Sequence, residues 1–327
     1  MSAGVDEAKS LVESDLKGVE SLLARFGDMS DPFGKTLKQP PPYIPEGGKR
    51  LRPRLVSISA RMCGYDGDRH IPLGCAVELL HNASLFHDDV IDEATTRRGV
   101  PSVNVSHSNR IAILAGDLLF TRGMSLVSQL GDVRLVSEFI DTMERMVEGE
   151  VIEMSMKSLD DFSYERYIRM IDGKTASLIA LCLKLGALLA NVDELVRTLE
   201  ELGYVAGRVF QIADDLLDYL YSTDITGKDR FRDYYEGKPT YPARVLYELC
   251  SDAERDVFMK YWGTRTAADE ANELLDELVA RSNLKELVEK KLETELERAF
   301  ELAGRLPDNP YRELLVELTR MMAFRTK

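Results

Sequence analysis

Apolar residues recur at helical spacing along almost the whole of this 327-residue chain. Residues 4–26, for example, repeat apolar side chains every three or four positions until Gly27. No convincing run of period-two alternation, the pattern of a half-buried strand, interrupts these segments. The pattern predicts an all-α fold, one domain over residues 1–327, with neighbouring helices packed antiparallel. The predicted helices are 4–26, one ending near Gly64, one opening at Pro72, 108–130, 133–157, 163–172, 174–190, 193–221, one near Pro242, one at Ser251, 265–281, 283–304 and 310–325.

Charge and cysteine usage narrow the class of protein. The formal net charge of −14 argues against nucleic acid or an anionic membrane surface as a partner. The four cysteines are widely spaced, without a CxxC pair, which is typical of buried thiols in a reducing compartment. We also find no signal-peptide pattern and no uncharged apolar run long enough to span a bilayer. These features predict a cytoplasmic protein with no integral membrane segment.

A D-D-x-x-D motif occurs twice, each time on a predicted apolar helix. On a helix the first and last aspartates share a face, and the second lies about 100° around from the first. Carboxylates embedded in apolar helices must be paired or bind metal, because burying an unpaired charge is costly. Mg²⁺ suits them, since it takes one or two carboxylates and completes its shell with water and phosphate. We therefore favour metal–diphosphate binding over a merely solvated acidic face for Asp88, Asp89, Asp92, Asp214, Asp215 and Asp218.

A small set of basic residues stands out against the overall negative charge. Lys49 follows Gly47 and Gly48, whose backbone can approach a phosphate closely. Any one of these residues alone is best read as an ordinary surface side chain. As a set beside the acidic motifs, they predict two anion sites, one bridged by metal and one purely basic. The set is Lys49, Arg52, Arg97, Arg98, Lys174 and Lys238.

The histidines leave another chemistry open. His87 and Asp88 form the dipeptide of HD-type metal phosphohydrolases, and His81 lies six residues earlier. That class needs further ligands, and His70 and His107 lie in polar contexts that read as loops. It would also leave the second aspartate motif unexplained, so we keep it as a minor alternative.

Several spaced motifs together resemble a known family over nearly the full chain. With these motifs in this order, the chain resembles the all-trans isoprenyl (polyprenyl) diphosphate synthases. The matching segments are G-G-K-R-L-R-P at 47–53, H-x-x-S-L-x-H-D-D-V-I-D at 81–92, R-R-G at 97–99, A-G-D at 115–117, K-T at 174–175, F-Q-I-A-D-D-L-L-D at 210–218 and E-G-K-P-T at 236–240.

The resemblance implies an antiparallel helical bundle around a deep central cavity, usually a homodimer. It also implies a trans-prenyltransferase that condenses isopentenyl diphosphate with an allylic diphosphate. Two to three Mg²⁺ ions would be held by the six aspartates of the two motifs. The implied catalytic residues are Asp88, Asp89, Asp92, Arg97, Lys174 and Asp214. The allylic diphosphate would contact Arg97, Lys174, Thr175, Gln211, Lys228 and Lys238, and isopentenyl diphosphate would contact Lys49, Arg52, His81 and Arg98.

Three positions depart from the family pattern. Glu153 stands where the family usually has glutamine in E-G-E-x-x-Q. Phe231 replaces the glycine of G-K-x-x-G-x-D, and Tyr241 replaces the leucine before Pro242. The first aspartate motif is unchanged, so the departures concern the second half of the chain, including the loop that carries Lys228 and Lys238.

Small residues precede the first motif. Helical side chains lean toward the N-terminus, so Ser84 and Ala83 should lie beneath Asp88, with Leu80 one turn further. In the family a large aromatic at either upper position closes the cavity, so their small size predicts a product longer than farnesyl diphosphate. The alternative is that they merely permit close helix packing.

Two further functions stay open at this stage. A class I terpene cyclase shares the ionisation chemistry, but it needs no second diphosphate pocket. A non-catalytic partner subunit of a heteromeric synthase is disfavoured by the intact aspartates, while Glu153 and Phe231 leave it some room.

Overall fold

The computed structural model describes residues 3–26, 48–97, 99–156, 158–220 and 230–324. Most of these residues are helical, and the prediction of an all-α fold is confirmed. A π-helical turn, Asp172–Ala176, joins the helices Tyr164–Ile171 and Ser177–Ala190. Two-residue strands β1 (Thr96–Arg97) and β2 (Val100–Pro101) pair antiparallel, with Thr96 opposite Pro101. The helices are α1 (Ala3–Phe26), α2 (Leu51–Met62), α3 (His70–Ile91), α4 (Val103–Ser106), α5 (Asn109–Gln129), α6 (Val133–Ser155), α7 (Tyr164–Ile171), α8 (Ser177–Ala190), α9 (Asp193–Leu220), α10 (Arg232–Glu236), α11 (Tyr241–Leu249), α12 (Asp252–Tyr261), α13 (Asp269–Arg281), α14 (Leu284–Ala303) and α15 (Pro310–Ala323).

The structure differs from the sequence prediction in local detail. Helix α3 begins at His70 rather than Pro72, and the predicted helices 163–172 and 174–190 are joined by the π turn. Strands of two residues are too short to show alternation, so the β1–β2 pair left no sequence signal. The short helix α10 lies within the stretch predicted as a loop. The helix predicted at Ser251 is confirmed, and Ser251 and Glu254 form a capping box at its start.

The chain forms two compact units, each assembled from three stretches of sequence. The first aspartate motif belongs to unit 1 and the second to unit 2, and the single domain predicted over the whole chain stays a prediction. Unit 1 comprises Met1–Thr142, Leu178–Gly203 and Leu302–Glu317, and unit 2 comprises Met143–Ser177, Tyr204–Glu301 and Leu318–Lys327.

Helix α3 is the packing centre of its part of unit 1, where it contacts α1, α2 and α5. Two glycines of α5 allow the closest of these contacts. A Cβ atom at Gly123 would lie 3.2 Å from the Ala76 carbonyl oxygen, and one at Gly116 would lie 2.4 Å from Nε2 of His87. Side chains of α1, α3 and α5 form a buried apolar cluster that includes Val19, Leu79, Phe86 and Leu119.

Unit 2 holds an aromatic cluster that fixes α10 against α12. The ring of Tyr234 meets Phe258 edge to face at 4.8 Å between centroids, and Phe258 stacks on Trp262 at 5.9 Å. The Tyr234 hydroxyl also donates to the Phe258 carbonyl oxygen at 2.7 Å. Edge-to-face pairs of this kind add to the apolar burial. The cluster thereby fixes α10 against α12.

Within the described part of the chain, two helical stretches, Asn109–Gln129 and Tyr164–Ala190, are long and apolar enough to cross a membrane by length and composition alone. In the most apolar window of the second stretch, 72% of the residues are buried, as is common in core helices. The core helix of a soluble protein can be equally long and apolar, so neither stretch identifies a membrane span. The expectation of no integral membrane segment stays a prediction.

A buried carboxylate links three helices of unit 1. Asp15 of α1 accepts from Arg61 at 2.6 Å and from Ser57 at 2.5 Å, both on α2. Nε2 of His70, the first residue of α3, lies 3.0 Å from the same carboxylate. Burial alone would raise the pKa of Asp15, but hydrogen bonds from His70, Arg61 and Ser57 outweigh it and hold the pKa well below its usual range. His70 is therefore a structural residue at a helix start, not the loop residue we expected.

We expect Asp15→Asn to lower the free energy of unfolding by about 3 kcal/mol at neutral pH, because it removes the buried charge that pairs with the half-buried guanidinium of Arg61. The folded-state pKa is depressed, so this stabilisation is fully present above the unfolded value of about 4 and is lost as the pH falls toward the folded value. Urea unfolding at several pH values measures it, and the difference between parent and variant should narrow below pH of about 4.

The control for this prediction is Glu13→Gln on the same helix. Glu13 pairs with Arg54, but its side chain is 55% exposed. Exposed pairs contribute about 0–1 kcal/mol, so this variant should unfold close to the parent. Equal destabilisation by the two variants would contradict the role given to Asp15.

Candidate functional site: two aspartate motifs and their basic neighbours

The first aspartate motif lies at the C-terminal end of α3. Asp88 and Asp92 are half-buried, and Asp92 is the C-cap, with its N–H donated to the Asp88 carbonyl oxygen at 2.7 Å. Asp89 is only 2% exposed. The helix therefore leaves the outer two carboxylates accessible and turns the middle one inward, as the helical spacing predicts.

Asp89 is bound to Arg97 of the β1–β2 hairpin. Nε of Arg97 donates to its Oδ1 at 2.9 Å, and Nη2 donates to the same oxygen. Asn104 Nδ2 donates to the Asp89 carbonyl oxygen at 3.1 Å and to that of Ala94 at 3.0 Å. These contacts attach the hairpin to α3. Asp89 thus holds the side chain of Arg97, which is 31% exposed. Its carboxylate lies on a different face of α3 from those of Asp88 and Asp92.

The second motif repeats this arrangement on α9. Asp214 and Asp218 are half-buried, whereas Asp215 is buried. Tyr167 donates its hydroxyl hydrogen to Oδ2 of Asp215, and Gln211 Nε2 donates to Oδ1 at 2.8 Å. Burial raises the pKa of Asp215 above its usual range, and the nearby charge of Asp233 adds to this.

Thr175 and Gln211, both predicted to contact the allylic diphosphate, lie in one hydrogen-bond chain with Asp215. The Thr175 hydroxyl donates to Oε1 of Gln211 at 2.8 Å, and Gln211 donates to Asp215. A side-chain amide is oriented by such paired contacts, because its donor and acceptor ends each have a partner. The structure therefore brings these three predicted residues together within unit 2.

Asp218 caps the short helix α10. Its carboxylate accepts from the backbone N–H of Arg232 at 3.2 Å and of Asp233 at 3.0 Å. Our sequence reasoning did not single out Asp233, although it is the last residue of the G-K-x-x-G-x-D pattern. Its charge acts on Asp215, so it belongs to the carboxylates around the second motif.

Phe231 has the backbone conformation that its family counterpart, glycine, adopts without strain. Its φ is +62°, in the left-handed region, where a side chain is disfavoured. The ring is 2% exposed and meets Tyr219 at 5.9 Å between centroids. Burial of the ring offsets the strained backbone.

Lys174 lies in the π turn and is paired with two carboxylates of α6. Its Nζ lies 2.7 Å from Oε2 of Glu150 and also contacts Oε2 of Glu153. Glu153, the departure from the family pattern, is therefore in direct contact with a predicted diphosphate ligand. Single-turn π segments are frequent at functional sites.

Lys238 follows α10 and is also paired. Its Nζ lies 2.7 Å from Glu236, and its backbone N–H donates to the Asp233 carbonyl oxygen at 2.8 Å. Burial would raise the pKa of Glu236, but the charges of Lys238 and Arg232 lower it below the usual value. The polar groups around α10 are thus held in a defined network. Lys228 lies outside the described residues.

The residues predicted for isopentenyl diphosphate belong to unit 1. Lys49 is exposed before α2, Arg52 is half-buried in its first turn, and His81 is half-buried on α3. Arg98 lies outside the described residues. Arg50, which we did not predict, has a left-handed backbone and pairs with Glu78 at 2.9 Å and with Glu20. This buried arginine fixes the start of α2 and so the backbone between Lys49 and Arg52.

His87 contacts α5 rather than the aspartates beside it. Its Nε2 lies 3.1 Å from the Ile113 carbonyl oxygen and 3.4 Å from Oδ1 of Asp117, in the space left by Gly116. Taken with the pairing of His70 to Asp15, this places two of the four histidines in structural contacts.

Among the described residues, no three His, Cys, Asp or Glu side chains are grouped so that they alone could hold a metal ion. The half-buried outer aspartates nevertheless fit Mg²⁺, which needs only one or two carboxylates and takes its other oxygens from water and phosphate. Asp88, Asp92 and Asp214 are half-buried, whereas Asp89 and Asp215 are buried and hydrogen-bonded and Asp218 caps α10.

The residues beneath Asp88 occupy two different faces of α3. Leu80, Ser84 and Asp88 follow one another at intervals of four and therefore share a face. Ala83 is 1% exposed and packs in the apolar cluster with Leu79 and Phe86. Ser84 is half-buried, and its hydroxyl bonds only locally, to the His81 carbonyl oxygen at 2.9 Å. Of the two adjacent small residues, Ser84 is the one on the motif's accessible face.

Comparison with known proteins identifies the family. Residues 34–278 match the family model described as polyprenyl synthetase. The chain belongs to the polyprenyl synthetase family. It is 34% identical over 279 residues, 85% of each chain, to an all-trans-nonaprenyl-diphosphate synthase (geranyl-diphosphate specific) of Rhodobacter capsulatus. It is 35% identical over 310 residues, 94% of this chain and 95% of the other, to heptaprenyl diphosphate synthase component 2 of Geobacillus stearothermophilus.

A solved member of the polyprenyl synthetase family has the same fold. The polyprenyl synthase of Caulobacter crescentus CB15, whose crystal structure contains calcium and isoprenyl diphosphate, matches with a TM-score of 0.89 and 29% identity over 100% of both chains. An all-α fold and membership of a prenyltransferase family are therefore established together.

Proposed function

We propose that this chain is a Mg²⁺-dependent trans-prenyltransferase. It condenses isopentenyl diphosphate with an allylic diphosphate and releases a product longer than farnesyl diphosphate. The observation that carries the proposal is the repeated design of the two aspartate motifs. In each, the middle carboxylate is buried and hydrogen-bonded, while the two outer carboxylates are only half-buried. Membership of the polyprenyl synthetase family supports the same activity.

Different side chains of the proposed site bind the metal and the diphosphate. Asp88, Asp92 and Asp214 would hold Mg²⁺, which supplies neutralising charge to the departing diphosphate. Arg97 and Lys174 donate hydrogen bonds to the diphosphate oxygens, and such charged donors stabilise the growing negative charge. The allylic C–O bond breaks to give an allylic cation and diphosphate, the isopentenyl double bond attacks the cation to form the new C–C bond, and a proton passes from the product to the released diphosphate. Apolar surroundings protect the cation from water.

Asp88→Ala is expected to reduce Mg²⁺-dependent condensation by at least 100-fold, because it removes one of the accessible carboxylate donors. The measurement is product formation from isopentenyl and farnesyl diphosphates, analysed by mass spectrometry with Mg²⁺ and with chelator. Asp256→Ala, which changes an exposed carboxylate on α12, is the matched control and should retain activity. Condensation by Asp88→Ala within a few-fold of the parent would refute the metal assignment.

The same incubation separates the other functions. A class I terpene cyclase would consume the allylic diphosphate without isopentenyl diphosphate. A non-catalytic partner subunit would consume neither, a possibility of interest because one relative is called component 2 of its enzyme. An HD-type phosphohydrolase would release phosphate from either substrate.

We propose that Ser84 and Leu80 set the product length. Ser84→Phe should shorten the dominant product, since an aromatic ring on the face below Asp88 would block the growing chain. Ala83→Phe is the matched comparison: it adds the same ring inside the packed apolar cluster and should instead lower stability by about 1–3 kcal/mol. Mass spectrometry and thermal unfolding measure the two effects. An unchanged product distribution in a folded Ser84→Phe would contradict the proposal.

We propose a homodimer on the basis of an apolar stripe on α6. Val147, Val151 and Met154 share one face of this helix and are 64%, 58% and 57% exposed. Contiguous exposed apolar side chains mark interaction surfaces. Light scattering should give twice the mass of one chain, and Val147→Glu should reduce it toward one chain. Met259→Glu, at an exposed methionine of α12, is the control. A parent of one-chain mass would refute the dimer.

We also propose a cytoplasmic location, which cell fractionation can test. All four cysteines are free, and Cys75, Cys182 and Cys250 are buried. Burial raises the pKa of the Cys182 thiol to about 12, so it stays protonated and unreactive. Thiols of this kind suit a reducing compartment.

A further inference from the structure

The ammonium group of Lys174 is shared between two carboxylates of α6. The Nζ of Lys174 lies 2.7 Å from Oε2 of Glu150, and it donates a hydrogen bond to Oε2 of Glu153. The side chains of Lys174, Glu150 and Glu153 are only 21%, 13% and 14% exposed. Two negative charges around one positive charge leave this triad with a formal charge of −1. Solvent screens it less than an exposed pair because all three side chains are largely buried.

Close packing of two backbone segments brings the three side chains of this triad together. A Cβ atom at Gly149 of α6 would lie 2.2 Å from the Lys174 amide nitrogen, and one at Gly173 would lie 2.7 Å from the Arg145 carbonyl oxygen. Helix α6 and the π turn therefore touch through two glycines. Glu150 and Glu153, three residues apart on α6, face Lys174 from neighbouring positions of one helix surface. The contact is a consequence of the helix packing, not of a chance meeting of long side chains.

We propose that Glu153 is a specificity-determining residue that competes with the allylic diphosphate for the Lys174 ammonium. This inference rests on the proposed function, in which Lys174 donates to that diphosphate. A diphosphate that reaches Lys174 must share the ammonium with two carboxylates and meet their excess negative charge. With a neutral side chain at position 153 the triad would carry no net charge. Glu153 thus weakens binding of the allylic substrate, whereas the proposed ligands of isopentenyl diphosphate are other residues, Lys49, Arg52 and His81.

Glu153→Gln is the decisive variant, because it keeps the side-chain length and an acceptor oxygen for Lys174 while removing the charge. We expect the Kd for farnesyl diphosphate, measured by titration calorimetry with Mg²⁺ and without isopentenyl diphosphate, to fall about tenfold, which corresponds to about 1.4 kcal/mol. The KM for the allylic substrate should fall in parallel. The KM for isopentenyl diphosphate should change by less than about twofold.

The chain contains a matched control in unit 1. Lys184 is also paired with two glutamates, Glu138 at 2.6 Å and Glu200 at 2.8 Å, and is similarly shielded. Glu138→Gln makes the same chemical change in a comparable triad that has no proposed substrate contact. Its Kd for farnesyl diphosphate should equal that of the parent. Thermal unfolding of both variants confirms that each is folded before its binding is compared.

The outcomes separate the two proposals. An unchanged Kd in a folded Glu153→Gln, or an equal shift for both substrates, would overturn the role of Glu153 while condensation by the parent upholds the enzyme activity. The same change of Kd in Glu138→Gln would show that overall charge causes the effect, and it would also overturn the role of Glu153. A parent that forms no elongated product would overturn the proposed function and this inference together.

Discussion

A carboxylate buried in an apolar helix requires hydrogen-bond donors, and the organisation of both aspartate motifs depends on this requirement. In unit 1 the guanidinium of Arg97 satisfies Asp89, and in unit 2 the side chains of Tyr167 and Gln211 satisfy Asp215. Each buried aspartate thereby orients neighbouring residues: a hairpin in the first case, a threonine–glutamine pair in the second. The helical period then presents the outer aspartates on the accessible side.

The basic residues follow the same electrostatic rule. Arg97, Lys174 and Lys238 each contact at least one carboxylate, and in a chain of net charge −14 such partners are abundant. Pairing holds each cation in one position, which favours binding of a substrate that needs several donors at once. It also sets a competition, since a diphosphate must draw each cation away from, or share it with, an existing partner. The balance between these effects depends on how many carboxylates surround each cation.

Close backbone contacts decide where these side chains can lie. Gly116 of α5 leaves room for the His87 ring, and Gly149 with Gly173 brings α6 against the π turn that carries Lys174. Phe231 shows the reverse case, because a buried aromatic ring accompanies a left-handed backbone that glycine would adopt without strain. Tertiary packing can thus retain a local conformation that the residue itself disfavours.

The sequence by itself determined the helical class, most helix boundaries, the two aspartate motifs and the family, because helical periodicity and ordered motifs are local properties of a chain. It also predicted that Asp88 and Asp92 share a face apart from Asp89. Only the tertiary structure decided which partner each charge has. The Asp15 contacts with Arg61 and His70, and the contact of Glu153 with Lys174, join residues from different helices. Such pairings depend on helix packing, as does the separation of Ala83 in the apolar cluster from Ser84 on the accessible face.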